Sequence, residues 1–152
     1  SSSSRLLRSA MPYRICKTVT IDSAHLLSKH PGDCRFVHGH TRTIEVVLES
    51  DTLDANDMVC DFAVVKSLME RHVSAWDHAL CINDGDPGYA ELRRLYGERV
   101  VGFAGRDPTT EVLAEVLYKA LAESLPAHAG ANVRLRRVRI WETPTAWAEY
   151  WE

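Results

Sequence analysis

The chain has 152 residues, of which 45% are hydrophobic and 26% are charged, and this is the composition of an ordinary globular protein. A length of this order fits one domain, and the composition excludes intrinsic disorder for most of the chain. The longest apolar runs are only a few residues long, so no segment has the roughly 20 apolar residues of a membrane helix.

The first ten residues differ from the rest in composition. Four serines are followed by Arg-Leu-Leu-Arg-Ser-Ala, and we interpret residues 1–10 as a disordered leader or tag remnant. This segment contains Arg5 and Arg8 but no acidic residue. Without it, the formal net charge of −3 becomes −5 for residues 11–152, the predicted single domain. A mildly acidic domain argues against broad binding to nucleic-acid phosphates.

The cysteines indicate a reducing environment. They are widely spaced, and no two of them form a Cys-x-x-Cys pair. A chain of this size needs no disulfides for stability, so we expect free thiols and a cytoplasmic location. The four are Cys16, Cys34, Cys60 and Cys81.

The N-terminal part of the domain predicts a hairpin. Residues 13–24 alternate with a period of two and are rich in β-branched side chains, which predicts a strand. Residues 26–37 contain Ser, Pro, Gly and Asp and are predicted to form a loop. Alternation returns over residues 38–49, so the pattern predicts a long antiparallel hairpin with an elaborate loop.

Two helices are predicted in the middle of the chain. Asp61 precedes apolar residues with helical spacing and is predicted to cap a first helix, which Trp76 closes. Residues 81–105 are rich in Gly, Asp and Pro and are predicted to be a long surface excursion, with residues 89–96 as a candidate short helix. Residues 107–111 combine a capping residue, a proline and an acid, and they predict a second main helix.

The C-terminal segment predicts two more strands. The alternation that starts at Val133 changes phase before Val138, and a bulge near Arg136 explains the change. Pro144 interrupts the pattern before residues 147–151. The element order β-β-α-α-β-β predicts an α+β fold in which a four-stranded antiparallel sheet carries two helices on one face.

Three histidines of the predicted hairpin suggest a metal site. His38 and His40 are two positions apart on a strand, so both imidazoles project from the same face. His25 ends the preceding strand and can supply a third nitrogen from about 5 Å across the pair. Three neutral imidazoles suit Zn²⁺ and leave one tetrahedral position open, as in catalytic zinc sites. Chance explains His38-Gly39-His40 alone, but the flanking His25 and Cys34 favour a metal site.

Cys34 lies four residues before His38, on the loop that must fold over the predicted site. Two roles stay open for it. As a thiolate, Cys34 could complete a closed zinc shell of one cysteine and three histidines. It could also lie near the metal without binding it and act as a base, with its thiolate form stabilised by the metal cation and by Arg35.

Three further polar residues are candidates for the chemistry. Asp77 and His78 follow the first helix directly, although a helix C-terminal histidine and a turn aspartate explain the pair by itself. Glu142 ends an apolar alternation on its inward side, where a bare carboxylate is costly unless a donor-rich ligand pairs with it. An end-of-strand acid in water explains Glu142 equally well.

Taken together, these residues resemble the family of 6-pyruvoyl-tetrahydropterin synthases and 6-carboxytetrahydropterin synthases. The matching segments occur in the family's order and cover most of residues 13–152. They are Asp22-Ser23-Ala24-His25, Cys34-x-x-x-His38-Gly39-His40, Val59-Cys60-Asp61-Phe62, Trp76-Asp77-His78, Pro108-Thr109-Thr110-Glu111 and Ile140-Trp141-Glu142-Thr143.

The resemblance implies a tunnelling fold (T-fold), in which four-stranded sheets of several subunits join into a barrel on oligomerisation. It implies a homo-hexamer of two trimers with active sites at subunit interfaces. From the charge and the short apolar runs we expect no nucleic-acid and no membrane partner. The implied residue roles fall into three groups. They are the zinc ligands His25, His38 and His40, the proton-transfer residues Cys34, Asp77 and His78, and the substrate-binding residues Glu142, Thr109 and Thr110.

The short spacing between Cys34 and His38 is similar to that of the 6-carboxytetrahydropterin synthases, which feed queuosine and other deazapurines. We therefore expect a zinc-dependent lyase that takes a pterin triphosphate, 7,8-dihydroneopterin triphosphate. Its products are 6-carboxy-5,6,7,8-tetrahydropterin, triphosphate and acetaldehyde. The long segment of residues 84–105 departs from the family pattern and keeps two alternatives open: a 6-pyruvoyl-tetrahydropterin synthase, or a divergent enzyme for another pterin. A non-catalytic, zinc-stabilised assembly module is a third, and it requires Cys34 as the fourth ligand.

Overall fold

A computed structural model of the chain describes residues 11–152, so the predicted leader of residues 1–10 lies outside the described part. Six strands and three α-helices form within the described residues. The strands are β1 (Tyr13–His25), β2 (His38–Ser50), β3 (Leu80–Asn83), β4 (Val100–Phe103), β5 (Val133–Thr143) and β6 (Ala146–Tyr150). The helices are α1 (Phe62–Val73), α2 (Tyr89–Tyr96) and α3 (Thr110–Ala129).

The strands form one mixed sheet in the order β4-β3-β1-β2-β5-β6. The α+β class and the candidate short helix of residues 89–96, which is α2, are confirmed, but the prediction of four antiparallel strands was wrong. β3 runs parallel to β1, and β4 runs parallel to β3. Both strands come from the segment predicted as a surface excursion. They are four residues long and largely buried, so their apolar residues follow one another without the alternation that reveals a half-exposed strand.

The predicted hairpin is confirmed and is the centre of the sheet. β1 and β2 pair over thirteen consecutive residues, and His25 lies directly opposite His38. The predicted bulge is confirmed as well. Between β2 and β5, Val47 pairs with Arg137 and Leu48 pairs with Leu135, so Arg136 is the extra residue.

Both main helices begin where side-chain caps predict them. The Asp61 carboxylate accepts a hydrogen bond from the backbone N–H of Ala63, and the Thr109 hydroxyl accepts one from Val112. α1 ends at Val73, before Trp76, and α3 continues through Pro126 in its last turn. No helix among residues 11–152 is long and apolar enough to cross a membrane.

The helices cover both faces of the sheet, which corrects the prediction of helices on one face. Residues of α1, α3 and Cys81 share the main apolar core. A second, small core joins Ile82 and Val100 with Tyr89 and Leu92 of α2. Because successive side chains of a strand point to opposite faces, Cys81 and Ile82 face opposite ways. α2 therefore packs on the face opposite α1 and α3.

The main core depends on close packing along α3, which a neighbouring pair of residues can test. Leu117 is 1% exposed, whereas the adjacent Val116 is 38% exposed. We expect Leu117→Ala to lower the free energy of unfolding by about 2–5 kcal/mol, because a cavity forms where the side chain was. Val116→Ala is the matched control and should change it by about 0.5 kcal/mol or less. Urea denaturation followed by circular dichroism measures both, and equal losses would contradict this packing.

Candidate metal centre

Three imidazoles converge at the loop end of the β1–β2 hairpin. His25 is the last residue of β1, His38 is the first of β2 and His40 follows on the same face. The ring centroids of His25 and His38 are 4.5 Å apart, and that of His40 lies 5.1 Å from each. One nitrogen from each ring lies within 4.8 Å of the other two. The structure thus brings together the three histidines that the sequence singled out, and the cluster could hold a metal ion.

Hydrogen bonds to backbone carbonyls determine which ring nitrogens of His25 and His38 remain available to bind a metal ion. Nδ1 of His25 lies 2.9 Å from the Pro108 carbonyl oxygen, and Nδ1 of His38 lies 2.7 Å from that of Phe36. Because a carbonyl oxygen only accepts, each Nδ1 carries the hydrogen and each Nε2 keeps its lone pair. Among the described residues, Nε2 of His25 and of His40 are both buried without a hydrogen-bond partner. Buried imidazole nitrogens without a partner fit a metal ion, and three imidazoles suit zinc.

Burial keeps the imidazoles of His25 and His40 uncharged at neutral pH. Desolvation lowers the pKa of His25 to about 4; the Pro108 hydrogen bond opposes this shift, and the charge of the nearby Arg42 guanidinium adds to it. Desolvation is also the main cause that lowers the pKa of His40. Because neutral imidazole is the metal-binding form, a metal ion does not have to displace protons from these two rings at neutral pH.

The Glu142 carboxylate lies beside the cluster. Its Oε1 is 3.5 Å from Nε2 of His40 and 3.7 Å from Nε2 of His25. The side chain is one-third exposed and lines a cavity of about 560 Å³ together with His40, Thr43 and Trp141. A volume of this size is in the range of small-molecule sites.

The two threonines of the predicted substrate site have internal partners. Thr109 caps α3, and the buried Thr110 hydroxyl accepts a hydrogen bond from Arg42 Nη1 at 3.0 Å. Neither threonine lines the cavity that Glu142 faces. Thr109 instead lines a separate cleft with Lys29 and Arg106.

Cys34 lies on a short 3₁₀ turn, Asp33–Arg35, in the loop between β1 and β2. Its backbone carbonyl accepts a hydrogen bond from Leu27, and its side chain is partly exposed. Its sulfur does not join the group of ligand atoms that lie within 4.8 Å of one another in the described residues. The structure therefore gives no support to the closed four-ligand shell that the assembly-module alternative requires.

Asp77 and His78 form a hydrogen-bonded pair. Nδ1 of His78 lies 3.0 Å from Oδ1 of Asp77, which also accepts the backbone N–H of Asp22 at 3.1 Å. The Asp22 hydrogen bond is the main cause that lowers the pKa of Asp77, and the His78 bond adds to it. His78 has a φ of 55°, in the left-handed region, and its N–H donates to the Asp22 carbonyl at 2.7 Å. Asp77 can thus orient the imidazole of His78.

The pair and the metal cluster lie on opposite faces of the sheet. Asp22 bonds to Thr41 across the β1–β2 pair, and both alternate with the residues that face α1 and α3. His78 lines a cavity of about 730 Å³ with residues of the α2 side, among them Tyr96 and Arg99. His40 and Thr41 line this cavity as well as the one that Glu142 faces, so the two meet at β2.

Sequence reasoning missed one charged residue of the site, Arg42. It is only 1% exposed, and its Nη2 lies 3.3 Å from Nδ1 of His25 and 4.0 Å from Oε1 of Glu142. A signal was present, because Arg42 follows His40 by two positions and the period of a strand puts both on the same face.

Known proteins resemble this chain in sequence and in fold. A family model described as 6-pyruvoyl tetrahydropterin synthase matches residues 14–152. The chain is 33% identical to the 6-carboxy-5,6,7,8-tetrahydropterin synthase of Aquifex aeolicus, over 93% of this chain and 99% of that protein. It is 29% identical to the Haemophilus influenzae protein of the same name, over 92% and 99%. The crystal structure of Plasmodium vivax 6-pyruvoyl tetrahydropterin synthase aligns with a TM-score of 0.69 and 16% identity, covering 91% of this chain and 97% of that one.

The cluster predicts a strong effect of His40 on metal binding. We expect His40→Ala to weaken zinc binding by about 100-fold or more, because a direct ligand is lost. Loss of a residue that only hydrogen-bonds to a ligand typically weakens metal binding by about 10–100-fold. His72→Ala is a matched control, because His72 is a partly buried histidine of α1 that contacts Ser124 of α3 and does not belong to the cluster. Zinc content by mass spectrometry and competition with a chromophoric chelator measure the effect. Zinc binding that survives His40→Ala unchanged would rule the cluster out.

Proposed function

This chain belongs to the 6-pyruvoyl tetrahydropterin synthase family, and on that premise we propose that it is a zinc-dependent lyase acting on 7,8-dihydroneopterin triphosphate. The proposed reaction consumes water and yields 6-carboxy-5,6,7,8-tetrahydropterin, triphosphate and acetaldehyde. The names and identities of the Aquifex and Haemophilus relatives support this choice within the family. The product would feed the synthesis of queuosine and other deazapurines.

The observation that carries the proposal is the convergence of His25, His38 and His40, with two buried Nε2 atoms that have no hydrogen-bond partner within residues 11–152. Three imidazole ligands leave one position open for an oxygen of the substrate. Zinc, when bound, supplies a positive charge that stabilises negative charge developing on the substrate's side-chain oxygens.

Glu142 is proposed to bind the pterin ring. An ionised carboxylate offers two acceptor oxygens, and a pterin presents two adjacent N–H donors along one edge. The carboxylate faces a cavity and lies next to His40, so a ring held there would bring its side chain to the metal centre. Glu142 would thus orient the substrate.

Cys34 and the Asp77–His78 pair are proposed to move the protons. The Cys34 thiol is partly exposed on the loop next to His38, where its Sγ could take a proton from the substrate carbon. Asp77 holds Nδ1 of His78, so Nε2 of His78 is free to take up or return a second proton. These roles need two groups on different sides of the substrate.

The separation of the two sites supports an active assembly of several chains. The metal cluster lies on the α1 and α3 side of the sheet, whereas His78 lies on the α2 side. We propose that the relay of one subunit acts at the metal centre of a neighbouring subunit, within a homo-hexamer of two trimers. Within residues 11–152, β4 and β6 each have a strand partner on one side only, and such edges could join neighbouring sheets into the barrel of a T-fold.

Product analysis tests the proposed reaction. We expect the zinc-loaded protein to convert 7,8-dihydroneopterin triphosphate into 6-carboxytetrahydropterin and acetaldehyde, identified by mass spectrometry. Cys34→Ala should keep its zinc and lose turnover by about 10²–10⁴-fold, the range for loss of a proton-transfer group. Dihydroneopterin without its triphosphate should give no carboxy product.

Other outcomes would redirect the assignment. A pyruvoyl product would identify the biopterin-type reaction instead. No turnover by fully zinc-loaded protein would reject both reactions, and Cys34→Ala protein that loses its zinc would make Cys34 a metal ligand.

Glu142 gives a separate prediction about binding. We expect Glu142→Gln to raise KM by about 10–100-fold with unchanged zinc content, because the amide loses the charge and one of its two acceptors. Glu49→Gln is the control, since Glu49 pairs with Arg14 at the far end of the hairpin. Steady-state kinetics with metal analysis measures both variants, and an unchanged KM for Glu142→Gln would argue against the assignment.

A further inference from the structure

Arg42 is a buried cation that the proposed mechanism does not use. It lies on β2, opposite Ile21 of β1, and its side chain is 1% exposed at the metal centre. A buried guanidinium is costly unless acceptors or opposite charges surround it. Its partners should therefore show what it does.

The internal hydrogen bonds of Arg42 leave donors unmet. Nη1 donates to the Thr110 hydroxyl at 3.0 Å. Nη2 lies 3.3 Å from Nδ1 of His25, but the hydrogen on that nitrogen already points at the Pro108 carbonyl, so it has no lone pair to accept. Nε is buried and has no partner among the described residues. Nη2 and Nε therefore have donor capacity to spare.

Glu142 is the nearby acceptor. Its Oε1 has three nitrogen neighbours, Nε2 of His40 at 3.5 Å, Nε2 of His25 at 3.7 Å and Nη2 of Arg42 at 4.0 Å. When the two Nε2 atoms bind a metal ion, neither carries a hydrogen. Arg42 is then the one of the three that can still donate to the carboxylate.

We propose that Arg42 is a positioning residue that holds the Glu142 carboxylate for substrate by a charge-assisted hydrogen bond in the metal-loaded protein. This inference rests on the proposed pterin-binding role of Glu142. A carboxylate has about four acceptor positions, so a bond from Arg42 leaves room for both N–H groups of a pterin edge. The guanidinium would also draw the carboxylate away from a dication held by the three histidines, so that Glu142 would stay available for the substrate.

A double-mutant cycle tests the coupling directly. The zinc-loaded parent, Arg42→Met, Glu142→Gln and the double variant are titrated with neopterin, whose fluorescence reports binding. We expect Arg42→Met to weaken neopterin binding about tenfold in the parent and less than about twofold in the Glu142→Gln background, as for residues in direct contact. Arg14→Met is the control, because Arg14 pairs with Glu49 at the far end of the same two strands. It should leave neopterin binding unchanged.

Zinc affinity, measured by chelator competition, separates positioning from a structural role. Arg42→Met should bind zinc at least as tightly as the parent, since a neighbouring positive charge has been removed. Weaker zinc binding, or an equal loss of neopterin affinity in both backgrounds, would overturn the inference. If Arg42→Met does not fold, Arg42→Lys keeps the charge without the planar fork. It should then show an intermediate loss of about threefold that vanishes in the Glu142→Gln background.

The outcomes also distinguish this inference from the proposed function. If the zinc-loaded parent binds no neopterin, the pterin assignment and the inference both fail. If Glu142→Gln weakens neopterin binding and neither Arg42 variant does, the pterin assignment stands and only the role of Arg42 is rejected.

Discussion

The pairing of β1 with β2 determines the positions of the three histidines and of Arg42. Thirteen residue pairs set His25 opposite His38, and the alternation of side chains then puts His40 and Arg42 on the same face. A shift of one residue would turn all of these side chains to the other face, so the buried pattern of the hairpin fixes the register. The cluster of the three histidines thus results from the same strand pairing that forms the centre of the sheet.

The start of α3 connects this hairpin to the rest of the molecule. The Pro108 carbonyl receives the Nδ1 hydrogen of His25, and the Asp107 carboxylate next to it accepts hydrogen bonds from Lys29 N–H and from the Asn83 side chain. Two adjacent residues, Asp107 and Pro108, therefore orient the His25 ring and hold the loop after β1 and the end of β3 in place by hydrogen bonds. Because Asp107 is itself buried, these bonds offset the cost of its charge.

Local patterns predicted the hairpin, the bulge near Arg136, the Asp61 cap, the start of α3 and the convergence of the histidines, because each depends on residues close in sequence or on a strand period of two. β3 and β4 were missed because they are short, buried and paired in parallel with strands distant in the chain. The position of α2 on the opposite face depends on that same pairing. Arg42 was missed for another reason: the strand period puts it on the same face as His40, but a charged residue in a strand is normally exposed, and its burial is evident in the packed structure.

The burial of Arg42 indicates that this site lowers the folding stability of the protein. An apolar side chain of similar volume at position 42 would avoid the desolvation of a guanidinium, and replacement of buried ion pairs by apolar groups is often neutral or stabilising. The Nε of Arg42 lacks a partner, and Glu142 Oε1 stands 4.0 Å from Nη2, so the charge is only partly compensated within the described residues. Local costs of this kind concentrate where a protein binds ligands. The uncompensated donors, the imidazole nitrogens and the carboxylate between them thus belong to one site, and the partners that we propose for them are a metal ion and a substrate.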